Sequence, residues 1–246
     1  RFCFKFRDKL MEFYYLDTTN AIYCAMLLPI LAMAGNMAFA GSKDIRDIFT
    51  LICAILTFSC VLMILSNVGN GVTQATSLLN IFPGVDIAFS VEPLGLLFAI
   101  IASGLWILTH IYGVGYMRGN NEKHHARFFA CFCIAISSVI GIAFASNMFT
   151  LFLFYEILTV STYPLVAHKG TKESIRGARL YLSILIGTSI VLQLTAIIWT
   201  YVLTGTLDFT QGGILEGKVA GWIVPILLAL YAFGIGKAAL MPFHRW

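Results

Sequence analysis

Charge is what this sequence has least of. Asp, Glu, Lys and Arg together make up 11% of the 246 residues, against about 25% in an ordinary soluble chain. Apolar residues make up 59% and the mean hydropathy is +0.86. One water-soluble core cannot hide that much apolar surface, because a domain of this size still leaves much of its surface in water. The natural solvent is therefore lipid. The net charge of +4 is small and sits in loops, and no basic patch is interleaved with exposed aromatics, so nucleic acid is excluded as a partner. Zinc or redox spacing is lacking too. Of the six cysteines, Cys131 and Cys133 are two apart, and the others lie singly, most of them in apolar runs; they read as small buried hydrophobes. His110 and His168 lie at poorly matched depths for a haem pair, and His124 and His125 fall in a loop. No cofactor or metal is expected, and there is neither an internal repeat nor a low-complexity linker.

What is there is a series of long apolar runs. A spanning helix needs about 20 mostly apolar residues, and seven stretches qualify: 19–40, 48–67, 94–114, 128–145, 149–167, 178–203 and 220–246. The expected fold is all-α and integral to the membrane, since a helix satisfies every backbone polar group within its own segment. Residues 80–93 differ. Pro83, Gly84 and Pro93 bound Ile87, Phe89 and Val91, which alternate with smaller or polar residues. That pattern fits a short surface β-hairpin or a plain loop. Cations gather in alternate loops: Lys43 and Arg46, then Arg118, Lys123 and Arg127, then Lys169, Lys172, Arg176 and Arg179. The positive-inside rule places those loops in the cytoplasm and the N-terminus outside. Arg1, Lys5, Arg7 and Lys9 run against this orientation, and residues 1–18 form a basic segment without an assigned role.

Two charges clearly break the apolar runs: Glu156, mid-segment in FLFYEILTVSTYPL, and Lys237 in ALYAFGIGKAALMPFHRW. Either one alone near a helix centre costs about 2.5–3.5 kcal/mol on insertion scales, and such residues usually mark ion paths; a purely structural ion pair is the alternative. Low dielectric favours the neutral form of both a carboxylic acid and an amine, whereas a nearby opposite charge favours the ionised forms. At an effective dielectric of about 20, a pair about 4 Å apart interacts by about 4 kcal/mol. One changing distance could thus gate one proton. Helical spacing aligns Phe152, Glu156, Thr159 and Tyr163 on one stripe, three of them able to hydrogen-bond. Pro242 lacks an N–H and disfavours a straight helix, and Gly234 and Gly236 loosen the turn before the lysine, so the seventh helix is expected to be discontinuous. His244 shares a face with Lys237 and could relay a proton or cap the helix end. Thr188, Ser189 and Gln193 could line a wet path or join helices.

The stretches VEPLGLLFAI, GYMRGNNEKHHARFFACF, LFLFYEILTVSTYPLVAHKG and FGIGKAALMPFHRW resemble the proton-conducting antiporter-like subunits shared by respiratory complex I and Mrp-type cation/proton antiporters, with the Mrp systems the nearer likeness. The resemblance implies a fold of about fourteen helices with two inverted repeats of about five helices, each repeat holding a discontinuous helix. By this likeness Glu156 falls on the family's glutamate of helix 5 and Lys237 on the lysine of the broken helix 7, the coupled pair of a proton half-channel. Residues 19–117 then correspond to peripheral helices 1–3 and 118–246 to a truncated first repeat. The helices beyond Trp246 are expected from a longer protein or a second chain. The implied partners are the lipid bilayer, other membrane subunits of an antiporter or respiratory complex, and protons with sodium or potassium as counter-ion. The implied location is a bacterial cytoplasmic membrane.

Overall fold

In the computed structural model, residues 2–69, 76–210, 212–238 and 241 are described. The chain forms two compact units: Arg1–Thr76 with Ser90–Phe144, and Ser77–Phe89 with Ala145–Trp246. Among the described residues, six helices are long and apolar enough to cross a membrane.

The first unit contains α1 (Phe2–Ala38), α2 (Lys43–Gly69), α3 (Pro93–Gly119) and α4 (His125–Ala143). α1 packs on α2 and α4, and α3 packs on the same two helices. The apolar part of α1 from Thr18 onward is long enough to span, and the basic start of the chain is helical backbone continuous with it. Small residues let the helices approach: Ala32, Cys53, Ala54 and Cys133 surround Trp106 in one buried cluster, so these two cysteines are packing residues. Lipid supplies no hydrophobic drive between helices, and buried polar side chains find partners across the interfaces instead. Asn36 Nδ2 donates to Thr50 Oγ1 at 2.9 Å, Asn67 Nδ2 to Thr18 Oγ1 at 3.0 Å, and Ser137 Oγ to the Met26 carbonyl at 2.8 Å.

The second unit opens with a hairpin, β1 (Thr76–Phe82) and β2 (Val85–Phe89), so the alternation around Ile87 is strand and not plain loop. Pro83 and Gly84 make the turn, with Gly84 at φ +83°, the conformation that a proline–glycine turn assigns to its glycine. α5 (Met148–Val166) follows. Its N-cap Asn147 accepts the Thr150 N–H at 2.7 Å and donates to the Asp86 carbonyl at 2.7 Å, fixing the start of α5 to β2. α6 (Lys172–Thr188) passes through a π-helical turn, Ser189–Leu194, into α7 (Thr195–Thr204). Together these make one span, Lys172–Thr204. Val85, Ile197 and Leu207 form its apolar core, with Phe152, Tyr201 and Tyr231 against it.

Among the described residues of the seventh run, the α-helix is α8 (Ile223–Gly234), 12 residues. At 1.5 Å per residue that is about 18 Å, short of the roughly 30 Å hydrocarbon core. The α-helix stops at Gly234, and a 3₁₀ turn, Gly236–Ala238, carries the lysine. The discontinuity thus falls at Ile235, on the near side of Lys237. Pro242 and His244, to which the sequence assigned a helix break and a proton relay, lie outside the described residues. Gly234 and Gly236 also do more than loosen a turn. A Cβ at position 234 would stand 2.7 Å from the Gln193 backbone nitrogen, and one at 236 would overlap Thr188 Oγ1. Both glycines therefore admit α8 and its 3₁₀ extension against the π turn and the end of α6.

Gly234→Ala is expected to destabilise the protein by about 1–3 kcal/mol, the usual cost of overpacking. Gly187→Ala, where an added Cβ meets nothing within 4 Å, is the control. Thermal unfolding in detergent micelles checks it: the first variant should melt several degrees lower and the second should not.

Candidate functional site

The second unit brings three helical pieces to one place. α5 supplies Tyr155, Glu156 and Thr159, the junction of α6 with the π turn supplies Thr188 and Ser189, and the 3₁₀ turn supplies Lys237. π-helical turns recur at functional sites because the extra residue redirects side chains and strains the ladder. Here Thr188, Ser189 and Gln193 are all buried, and Thr188 and Gln193 lie against the glycines that lead to the lysine.

Lys237 is partly buried. Its Nζ donates to the Tyr155 carbonyl at 3.1 Å and lies 4.0 Å from the centroid of the Tyr155 ring. Its backbone N–H donates to Tyr155 Oη at 3.2 Å. The Tyr155 carbonyl also accepts the Thr159 hydroxyl at 2.9 Å. Thr159, fully buried, is thus tied to its own helix, and it shares an acceptor with the lysine.

Glu156 sits beside this arrangement. Its Oε1 is buried without a hydrogen-bond partner, and its carboxyl group interacts with the Ser189 side chain and, electrostatically, with Lys237. Among the described residues no ion pair within 4.0 Å joins Glu156 to Lys237. Successive helical residues point about 100° apart, which is how Tyr155 can face the lysine while Glu156 faces the π turn. Tyr163 lies two turns beyond Glu156, partly buried, and Phe152 belongs to the apolar core of the unit. The predicted stripe therefore divides into an apolar end and a polar middle. Gln193 Oε1, like Glu156 Oε1, is a buried acceptor without a partner.

Two family models match. "NADH:quinone oxidoreductase/Mrp antiporter, TM" covers residues 145–246, which include the whole site, and "NADH-Ubiquinone oxidoreductase (complex I), chain 5 N-terminus" covers residues 83–129. Both matches support the antiporter-like membrane-subunit family of NADH:quinone oxidoreductases and Mrp antiporters. Within this family, the chain is 31% identical over 156 residues to NADH-quinone oxidoreductase subunit N of Desulforudis audaxviator, covering 59% of this chain and 30% of that protein. A protein of Staphylococcus epidermidis named as an antiporter subunit, mnhA2, is 27% identical over 243 residues, covering 96% of this chain and 29% of that one. Among solved structures, a chain of the Mrp complex from Dietzia sp. DQ12-45-1b superposes with a TM-score of 0.73 at 17% identity, covering 93% of this chain and 24% of that chain; this shows the antiporter-like fold. The chain spans about a third or less of the length of the curated relatives it matches.

A second polar cluster, in the first unit, escaped the sequence reading, which placed Arg46 and Arg118 among loop charges. Arg46 is 2% exposed, in the first turn of α2. Its guanidinium binds Asp47 Oδ1 at 2.6 Å, while Arg118 at the end of α3 binds Asp47 Oδ2 at 2.6 Å and Asp44 Oδ1 at 2.8 Å. The His110 ring lies 3.0 Å from the Asp47 carbonyl. The adjacency of Arg46 and Asp47 was the available signal. It reads as a neutral surface couple until α3 supplies a second cation to the same carboxylate.

Asp47→Ala should destabilise the protein by about 3–5 kcal/mol, because it leaves the buried Arg46 without its counter-charge. Asp44→Ala, whose side chain is 80% exposed, should cost less than about 1 kcal/mol. Resistance to thermal aggregation in detergent separates the two; equal losses would show that Asp47 is not the hub.

Proposed function

We propose that this chain carries protons across the bilayer as a subunit of an Mrp-type monovalent cation/proton antiporter, with Lys237 as proton carrier and Glu156 as its electrostatic gate. The observation that supports it best is the placement of Lys237 at the interruption of the seventh helical segment, next to a glutamate with an unpartnered oxygen, inside the residues matched by the antiporter family model. Irregular backbone at membrane depth is tolerated where protein or water covers it, and a break that carries an ionisable group is a place to load and unload a proton.

The separation of the two side chains suits gating. The carboxylate and ammonium interact through space without contact. Closing to about 4 Å would strengthen the attraction toward about 4 kcal/mol at an effective dielectric of about 20, which is about three pKa units. Approach loads the lysine, and withdrawal or neutralisation of Glu156 unloads it. In this reading Thr159, Tyr163 and His244 line the route, residues 118–246 form the first antiporter-like repeat, and residues 19–117 are its peripheral helices. The partners are other membrane subunits in a bacterial cytoplasmic membrane, the cation-rich loops face the cytoplasm, and sodium or potassium is the counter-ion. A second reading, a pumping subunit of a complex-I-like NADH:quinone oxidoreductase, is favoured by the name of the Desulforudis relative.

Lys237→Ala should abolish proton transport with membrane insertion intact. Glu156→Ala should reduce coupling strongly, and Glu156→Asp less so. Proton movement is read with a pH-sensitive dye in everted vesicles carrying the intact protein in its complex, energised in turn by sodium, potassium or NADH. The energising condition separates the two readings. Full activity in Lys237→Ala would leave only a scaffold role.

A further inference from the structure

One residue holds Lys237 at three points, and it is not the glutamate. The ring face of Tyr155 lies 4.0 Å from Nζ, the Tyr155 carbonyl accepts from the same Nζ at 3.1 Å, and the Tyr155 hydroxyl oxygen accepts the Lys237 backbone N–H at 3.2 Å. Each contact has a distinct physical effect. An aromatic face attracts an ammonium through its quadrupole and does so more strongly when water is excluded. A carbonyl oxygen binds a charged donor about twice as strongly as a neutral one. The third contact concerns backbone. In an unbroken helix the Lys237 N–H would bond to the carbonyl four residues earlier, but the helix stops at Gly234, and Tyr155 Oη takes the N–H that the interruption frees.

We propose that Tyr155 is the positioning residue for the Lys237 proton: its ring and carbonyl cradle the ammonium, and its hydroxyl pins the broken backbone so that the ammonium stays in the cradle. This inference rests on the proposed role of Lys237 and extends it to a residue that neither sequence periodicity nor the family's acid–base pair singled out. Tyr155 is 8% exposed, and Thr159 holds its carbonyl from the other side. Because Tyr155 and Glu156 are consecutive on α5, a rotation of that turn moves the cradle and the gate together. Among the described residues, the titratable groups around the lysine are Tyr155 and Glu156 from α5, with Tyr181 of α6 acting on Tyr155. Of these, only Tyr155 touches the ammonium among the described residues.

The test compares Tyr155→Phe, Tyr155→Leu and Lys237→Ala in the intact protein within its complex. Proton transport in everted vesicles is measured from pH 6 to 10 and normalised to the amount of protein in the membrane. Tyr155→Phe keeps ring and carbonyl, so its pH profile should match wild type with a rate lowered only a few-fold. Tyr155→Leu removes the π face, so the alkaline limb should move about one pH unit lower and the maximal rate should fall about tenfold. If Tyr155→Leu does not accumulate, Tyr155→Met, of similar length and without an aromatic face, takes its place with the same expectation. A wild-type profile in the Leu or Met variant, or an equal shift in the Phe variant, overturns the cradle. Lys237→Ala keeps the two levels apart. If it is inactive while the Tyr155 variants are unshifted, only this inference fails; if it is active, the proposed function fails.

Discussion

A cation in hydrocarbon must be met by an electron-rich partner or give up its proton, and the second unit is organised around how Lys237 meets that condition. The partner is a single tyrosine, used as ring, carbonyl and hydroxyl. Several other features follow from seating it there. The α-helix has to stop at Gly234 so that the lysine turns toward α5. Gly234 and Gly236 have to lack a Cβ so that the stopped helix can lie against Gln193 and Thr188. The π turn has to present Ser189 and Gln193 at that level. Asn147 has to hold the start of α5 to β2 so that Tyr155 and Glu156 arrive at the right depth.

The same condition operates in the first unit with a different solution. Arg46 is as inaccessible as any apolar core residue there, and it is met by a carboxylate that also serves Arg118. That network is fully engaged on both oxygens of Asp47. Glu156 is not: it keeps one buried oxygen without a partner. A saturated cluster suits anchoring, since removing the shared carboxylate strands the buried Arg46 charge in low dielectric. An unsaturated one has spare capacity for a proton or a moving donor. The contrast sets a charge cluster with a shared, fully engaged carboxylate at the α2–α3 junction against a lysine and a partly unpartnered glutamate at the interruption after α8.

Much of this was legible in the sequence. Length and hydropathy located the spans because lipid imposes a length and a composition, and both are linear properties. Among the described residues, six of the seven expected runs are helices of spanning length. The ionisable residues Glu156 and Lys237 stood out for the same reason, as departures from an apolar background. Their neighbourhood was less legible. Periodicity on α5 put Thr159 and Tyr163 on the stripe with Glu156; the hydroxyl of Thr159 bonds within its own helix, and the residue in contact with the lysine is Tyr155, off that stripe by one residue. Arg46 was legible as a cation and not as a buried one, because burial depends on α3 and α4 passing over it.

By itself, then, the sequence determined that this is a multi-pass helical membrane protein of the antiporter-like type, with an acid and a base that clearly break its apolar runs. Hydropathy, local turn chemistry such as Pro83-Gly84, and the identity of rare charges are all written residue by residue. Only the tertiary structure decided that the seventh helix stops before the lysine, that Tyr155 and not Glu156 holds the ammonium, and that Asp47 is shared by two arginines. Each of those depends on which residues distant in sequence come within about 4 Å, and contact at that range is set by how helices pack, which no single segment encodes.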